Sequence, residues 1–140
     1  MKKKLILLGV PVLAAAFGIV LYFSLFYGGD VRHVKTSVES LNSHSDDDVE
    51  ECMEIVKKTF RADFKGCVLT DLWYDGDECG EEINWKKQYG GKEAIVLLSN
   101  FYVDDNTDVP CFGLDTTCPG WSWILVKNQK DKWKLETWGY

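Results

Sequence analysis

The chain has 140 residues and a net charge of −6, from 22 acidic and 16 basic side chains. Three of the lysines stand at positions 2–4, so the rest of the chain carries 13 basic residues against 22 acidic ones. This balance disfavours nucleic acid and anionic lipid headgroups as partners, since both attract basic surfaces. Beyond the first 28 residues, about 110 remain, which is enough for one domain and too few for two.

The stretch 5–27 is predicted to be a transmembrane helix, because it holds 23 residues without a charged side chain. At 1.5 Å of rise per residue, about 20 apolar residues match the roughly 30 Å hydrocarbon core of a bilayer. The lysines before it favour a cytoplasmic N-terminus. The sequence therefore predicts a single-pass cell-membrane protein with a signal anchor at 1–28, a tether at 29–45 and an extracytoplasmic domain at 46–140.

A cleaved signal peptide is the alternative interpretation of the same stretch. Residues 5–13 would form its apolar region, and Ala14, Ala15 and Ala16 supply the small side chains that a signal peptidase needs. However, the apolar run continues through 17–23, so a mature protein that began there would aggregate or stay in the lipid. The retained anchor is therefore favoured.

No metal site or cofactor is expected. The tether holds the chain's two histidines, His33 and His44, among polar residues, where histidines are usually solvated. The acidic run 104–108 resembles the start of a calcium loop, with Asp115 at its twelfth position. That loop needs glycine at its sixth position for a sharp turn, and Val109 stands there instead.

An amphipathic helix is predicted over 46–62. Ser45 or Asp46 caps its start, where acidic side chains complement the helix dipole. Its apolar residues recur at intervals of three and four, which places them on one face. They are Val49, Cys52, Met53, Val56 and Phe60.

Four strands and one short helix are predicted after the long helix. The last two strands read as a hairpin around residues 128–131. One helix followed by an antiparallel sheet is typical of an α+β domain. The predicted strands are 66–74, 93–103, 121–126 and 132–138, and the short helix is 81–88.

The segments 64–70, 93–99 and 121–126, with the Trp-Gly-Tyr ending at Tyr140, resemble a family of small exported domains of unknown function from Gram-positive bacteria. That family is similar to the cystatin-like and NTF2-like folds, in which a curved antiparallel sheet wraps one long helix. The resemblance implies that, after the transmembrane helix, one long helix packs on a curved four-stranded antiparallel sheet. It implies no activity.

The five cysteines predict one disulfide, between Cys111 and Cys118, which enclose six residues between two prolines. Oxidising compartments outside the cytoplasm permit such a bridge. A rival pair, Cys52 and Cys67, is separated by about 15 Å of helix, beyond the roughly 7 Å that a bridge spans. These two are therefore expected to be small core residues, and Cys79 is expected to be the accessible thiol.

The final hairpin is apolar on both faces, and only one face can pack on the helix. The other face carries three tryptophans and needs a second cover. Either the long loops supply that cover, or it is a pocket, a second copy of the chain or a protein partner. The predicted inner face consists of Ile124, Val126, Trp133 and Leu135, and the outer face of Trp121, Trp123, Leu125 and Trp138.

The expected function is accordingly a non-enzymatic binding or self-association module that uses Trp121, Trp123 and Trp138, with a protein partner or homodimer as its occupant. The alternative is a small-ligand carrier or pocket enzyme of the NTF2-like kind. Such an enzyme would combine a carboxylate and a phenol, but Asp71 and Tyr74 alternate to opposite faces of their strand. No catalytic residue is therefore predicted.

Overall fold

The computed structural model of the chain describes residues 14–22, 28–41, 44–104 and 113–140. They form an α+β arrangement with the elements α1 (14–22), β1 (Lys35–Val38), α2 (Asp46–Asp63), β2 (Cys67–Tyr74), α3 (Glu82–Tyr89), β3 (Glu93–Val103), β4 (Thr116–Lys127) and β5 (Trp133–Gly139). The five strands make one sheet in the order β1-β2-β3-β4-β5. β1 runs parallel to β2, and the other neighbours are antiparallel.

The prediction of a transmembrane helix over 5–27 is wrong for the part of the chain that the structure describes. No helix there is long and apolar enough to cross a membrane. The described part of α1 covers nine residues, which at 1.5 Å each span about 14 Å, about half of a bilayer core. Apolar composition measures how a stretch partitions into lipid, and it does not show that the stretch is one continuous helix. Positions 1–13 and 23–27 lie outside the described residues, and the extracytoplasmic location stays a prediction.

The prediction of a four-stranded, fully antiparallel sheet is also wrong, because β1 adds a fifth, parallel strand from the segment expected to be a tether. Asp30 already bonds the same strand, donating its N–H to Cys67 O at 2.9 Å and accepting from Leu69 N at 2.8 Å. All four side chains of β1 are exposed. A strand held only by its backbone bonds carries no apolar pattern, so no periodicity indicated it in advance.

α2 spans one residue more than the predicted 46–62. Ser45 caps its start, and the Ser45 side chain accepts a hydrogen bond from Asp48 N at 3.2 Å. Its apolar stripe is buried against the sheet. The buried residues are Val49, Cys52, Met53, Val56 and Phe60.

Extra residues interrupt the strands at neighbouring positions. Thr70 is the extra residue in β2, because Leu69 pairs with Phe101 while Asp71 pairs with Asn100. Thr70 Oγ1 lies 3.0 Å from Asn100 O, beside a second irregularity between β3 and β4. Such bulges bend a strand and shift its alternation. Strict alternation from Leu69 is therefore broken, and Leu69 and Leu72 both reach the core around α2.

On β4, the hairpin faces are the reverse of those predicted. Trp121, Trp123 and Leu125 lie in the main core with α2, while Ile124 and Val126 belong to a smaller cluster that Trp85 of α3 partly covers. β5 also carries an extra residue, so Trp133 and Leu135 join the main core after all. Both faces of β4 are equally apolar, and periodicity alone cannot tell which of them meets the helix.

The predicted disulfide is wrong: Cys118 is a free thiol, and Cys111 lies outside the described residues. Cys118 stands opposite Phe101 on β4, with its side chain in the main core. The spacing of the two cysteines showed that the chain can bend back between them, but strand alternation turns Cys118 inward. Cys52 and Cys67 are buried and free, and Cys79 is exposed, as predicted.

Candidate functional site

The densest group of polar side chains surrounds His44, which the sequence placed in solvent. Its side chain is only 5% exposed, and the expectation of a solvated histidine is wrong. Nε2 lies 2.8 Å from Glu82 Oε2, and Nδ1 lies 3.2 Å from Glu93 Oε2. Ionised carboxylates only accept hydrogen bonds, so this geometry fits an imidazolium that donates from both nitrogens.

The surroundings of His44 favour its charged form. Burial lowers the pKa of His44, but the hydrogen bonds and negative charges of Glu82 and Glu93 outweigh it and hold the pKa above its usual value. Rings from two strands enclose the imidazole, with Tyr74 at 5.9 Å and Trp133 at 6.2 Å between centroids. Burial, together with the charge of Glu82, also raises the pKa of Tyr74.

The network continues from Glu93 to the start of α2. Lys127 Nζ lies 3.3 Å from Glu93 Oε1 and 3.0 Å from Asp48 Oδ1. Asp48 also accepts from Trp133 Nε1 at 2.7 Å and from Ser45 Oγ at 2.9 Å. Burial raises the pKa of Asp48, but these three donors together bring it below its usual value. The first turn of α2 is thereby joined to the ends of β3, β4 and β5.

The network is suited to holding elements together, and of the two glutamates bound to His44 only Glu93 is substantially exposed, by 37% of its side chain. Glu82 is 11% exposed in its side chain and also accepts from Val96 N at 3.2 Å. A catalytic acid or base must come within hydrogen-bonding reach of its substrate, and here the donors and acceptors face each other. Among the described residues, no group of three or more His, Cys, Asp or Glu side chains is placed to hold a metal ion.

The three tryptophans predicted to bind a partner lie together, but two of them are buried. Trp123 is fully buried and donates from Nε1 to Ser99 Oγ at 2.8 Å. Trp121 is buried as well, while Trp138 is 41% exposed and lies 5.9 Å from Trp123 between ring centroids. Tyr140, 82% exposed, stands 5.0 Å from the ring of Trp121. The binding role of the three tryptophans stays a prediction.

An open cleft runs between β1 and the first half of α2. We call it the β1 cleft; its volume is about 310 Å³. One wall is β1, whose only strand neighbour within the described residues is β2. Glu39 N donates to Tyr74 O at 2.9 Å, so by alternation the N–H groups of Thr36 and Val38 point away from β2. The lining residues are Thr36, Ser37, Val38, Asp46, Glu50 and Met53.

Sequence reasoning missed both His44 and the β1 cleft. One signal for His44 was available: it directly precedes Ser45, the cap of a helix that must pack on the sheet, so it could not be far from that sheet. The β1 cleft had no comparable signal, because three exposed side chains of β1 form one of its walls.

No protein-family model, no curated protein and no solved structure matches the chain. The resemblance to exported Gram-positive domains stays a prediction.

Proposed function

We propose that the chain is a non-enzymatic binding module that accepts an extended, basic polypeptide segment in the β1 cleft. The observation that carries the proposal is the open edge of β1 beside a cleft of suitable size. An extended segment added to a sheet edge forms main-chain hydrogen bonds and places alternate side chains into adjoining space. Outward N–H groups, such as that of Thr36, would be its first partners.

Charge complementarity favours a basic segment. Asp46 and Glu50 are exposed, one helical turn apart, and line the α2 wall of the cleft. Among the described residues, the ion pairs of α2 join Glu54 to Lys57 and Asp48 to Lys127, and neither Asp46 nor Glu50 takes part in one. A second copy of this acidic chain would bring like charges together at the same place.

At the described cleft the enzyme alternative would have the carboxylates of Asp46 and Glu50, without a histidine beside them. None of His44, Glu82 and Glu93 lines the described cleft. Asp71, the carboxylate that a pocket enzyme would use, accepts from Thr70 Oγ1 at 2.8 Å and from Asn100 Nδ2 at 3.4 Å. It stands outside the main core that contains Tyr74.

Exposed aromatic rings at the β5 edge of the sheet, opposite β1, support a second candidate surface for self-association. Trp138 and Tyr140 are exposed where β5 forms the opposite edge. Aromatic side chains are enriched in protein interfaces. Self-association through these rings predicts a dimer in sedimentation velocity that Trp138→Ser converts to a monomer. A wild-type monomer at every concentration rules this surface out as a dimer contact.

The test of the β1 cleft uses two labelled peptides and fluorescence anisotropy. In one, lysine alternates with threonine and valine; in the other, glutamate replaces lysine. We expect the lysine peptide alone to bind. Thr36→Pro, which removes an outward N–H, should abolish binding, whereas Thr36→Ala, which keeps it, should not. Equal binding to these two variants would refute strand addition.

Charge has its own matched pair of variants. Glu50→Lys reverses a charge inside the β1 cleft, and Glu51→Lys makes the same change one residue away, outside the lining. We expect only Glu50→Lys to weaken binding of the lysine peptide, by up to about fivefold, since an exposed ion pair contributes at most about 1 kcal/mol. Equal effects of the two variants would show that net charge alone governs binding.

A further inference from the structure

We propose that His44 is a protonation-dependent latch that holds the start of α2, and with it one wall of the β1 cleft, against α3 and β3. α2 is capped by Ser45. His44 is the residue before that cap, and its ring is bound from two sides by carboxylates of α3 and β3. The control of ligand binding rests on the proposed function; the latch itself does not.

Each carboxylate is held in place by a partner other than His44. Glu82 accepts from Val96 N through its second oxygen, and Glu93 contacts Lys127 through its second oxygen. The two acids are therefore held independently of His44, which contacts both directly from the start of α2. A second link to Glu93 runs from Asp48 through Lys127. Losing the histidine contacts removes the direct attachment while the acids stay where they are.

A neutral imidazole cannot make both contacts. It has one N–H donor and one acceptor nitrogen, so one nitrogen would face a carboxylate oxygen with no proton between them. That contact is repulsive and is enclosed, since the histidine side chain is only 5% exposed. Loss of the proton therefore breaks one of the two attachments, and the latch opens.

The other charged and titratable groups around His44 leave this conclusion unchanged. Tyr74 of β2 has a raised pKa and stays neutral. Lys127 of β4 and Asp48 of α2 pair with each other, and the pKa of Lys127 is raised, chiefly by Asp48. Trp133 of β5 carries no charge and donates to Asp48. The latch therefore depends on the protonation of His44.

The sign of the pH dependence follows from the raised pKa of His44. The stabilisation from the latch is fully present below the usual histidine pKa of 6.5. It is lost as pH rises through the higher pKa that His44 has in the folded chain. Each unit of difference between the two pKa values multiplies the equilibrium constant for closing the latch by about ten. A ligand that needs the ordered cleft then binds more tightly with the latch closed, because less of the protein must be ordered.

The latch is tested on the full chain without any peptide. Nuclear magnetic resonance follows the two histidine rings from about pH 5 to about pH 8, and His33→Gln identifies the His44 signal. Amide hydrogen exchange of the first turn of α2, corrected for base catalysis, is measured over the same range. We expect protection of this turn to fall through the His44 midpoint, in the wild type and in His33→Gln alike.

Two variants separate the latch from a merely structural histidine. His44→Gln should remove the pH-dependent step in exchange protection. Glu82→Gln, which keeps an oxygen for Val96 N, should move that step to lower pH. If His44→Gln does not fold, the shift in Glu82→Gln decides the question. A step that persists unshifted in Glu82→Gln, or a His44 midpoint at or below 6.5, overturns the latch.

The lysine peptide distinguishes failure of the latch from failure of the proposed function. We expect its affinity to fall as pH rises through the His44 midpoint in the wild type and to lack that step in His44→Gln. A step in exchange without peptide binding at any pH overturns the proposed function and supports the latch. Peptide binding without a step in exchange overturns the latch and supports the proposed function.

Discussion

Replacing Ser99 with alanine should destabilise the fold by leaving one buried donor without an acceptor. Ser99 is fully buried in β3, and its Oγ accepts the indole N–H of Trp123 at 2.8 Å and donates to Trp121 O at 3.4 Å. Removing Oγ takes away the acceptor while the fully buried indole N–H remains. A buried polar group without a partner costs about 1–3 kcal/mol, a large part of the 5–15 kcal/mol that typically separates folded from unfolded chains.

The assay is equilibrium unfolding in urea, followed by tryptophan fluorescence and circular dichroism. We expect Ser99→Ala to lower the midpoint without changing the dependence of the free energy on urea concentration, since the surface exposed on unfolding stays the same. A change in that dependence would mean that the variant altered the folded or unfolded ensemble, and the free energy could not then be assigned to one bond.

A double-mutant cycle isolates the hydrogen bond. Trp123→Phe removes the N–H and leaves an aromatic ring in the core. In that background, Ser99→Ala no longer leaves a buried donor without an acceptor. The cost of Ser99→Ala should therefore fall to a few tenths of a kcal/mol when Trp123 is phenylalanine. An equal cost in both backgrounds would refute the account, because it would show that Ser99 acts through packing and not through the indole.

Three further predictions concern other parts of the chain. Gly29→Ala should lower the thermal midpoint of unfolding, because a Cβ there would meet Phe60 O and lie 2.7 Å from Phe60 Cδ1. Such overpacking costs about 1–3 kcal/mol. Gly18→Ala is the matched control and should not lower the midpoint, since a Cβ there would have nothing within 4 Å. Asp48 has a lowered pKa, so its contribution is present above about pH 3.8 and is lost as pH falls through its folded value; acid unfolding monitored by circular dichroism should lack this component in Asp48→Asn, and an unchanged profile would contradict it. Alkylation followed by mass spectrometry should label Cys79 before the three buried cysteines that the structure describes; earlier labelling of any of those three would contradict their burial.

Local signals in the sequence predicted the elements that carry an apolar pattern. α2 has a cap, an acidic first turn and an apolar stripe, and the prediction over 46–62 is one residue short. β3 was predicted over 93–103 and spans Glu93–Val103, because it is a long apolar run. α3 and β5 are displaced by one residue from the predicted 81–88 and 132–138. In α2 and β3, burial leaves an apolar pattern that can be read without knowledge of the partner.

Features that depend on contacts between distant residues were not predictable in this way. His44 is buried by residues 38 and 49 positions further along the chain, and its polar neighbours in sequence carry no trace of them. The extra residue Thr70 looks like any other residue of an alternating strand, yet it shifts every side chain after it. β1 is defined by backbone bonds to β2, for which any residue with an N–H serves.

The acidic start of α2 has a consequence for the order in which the protein folds. Lys127 and Trp133, which bind Asp48, stand 79 and 85 residues further along the chain. Contacts between such distant residues form late and slow folding, because a long loop must close first. During synthesis, α2 is therefore complete long before its first turn has partners. A chain still missing its last two strands lacks both side chains, so final closure waits for the C-terminal hairpin.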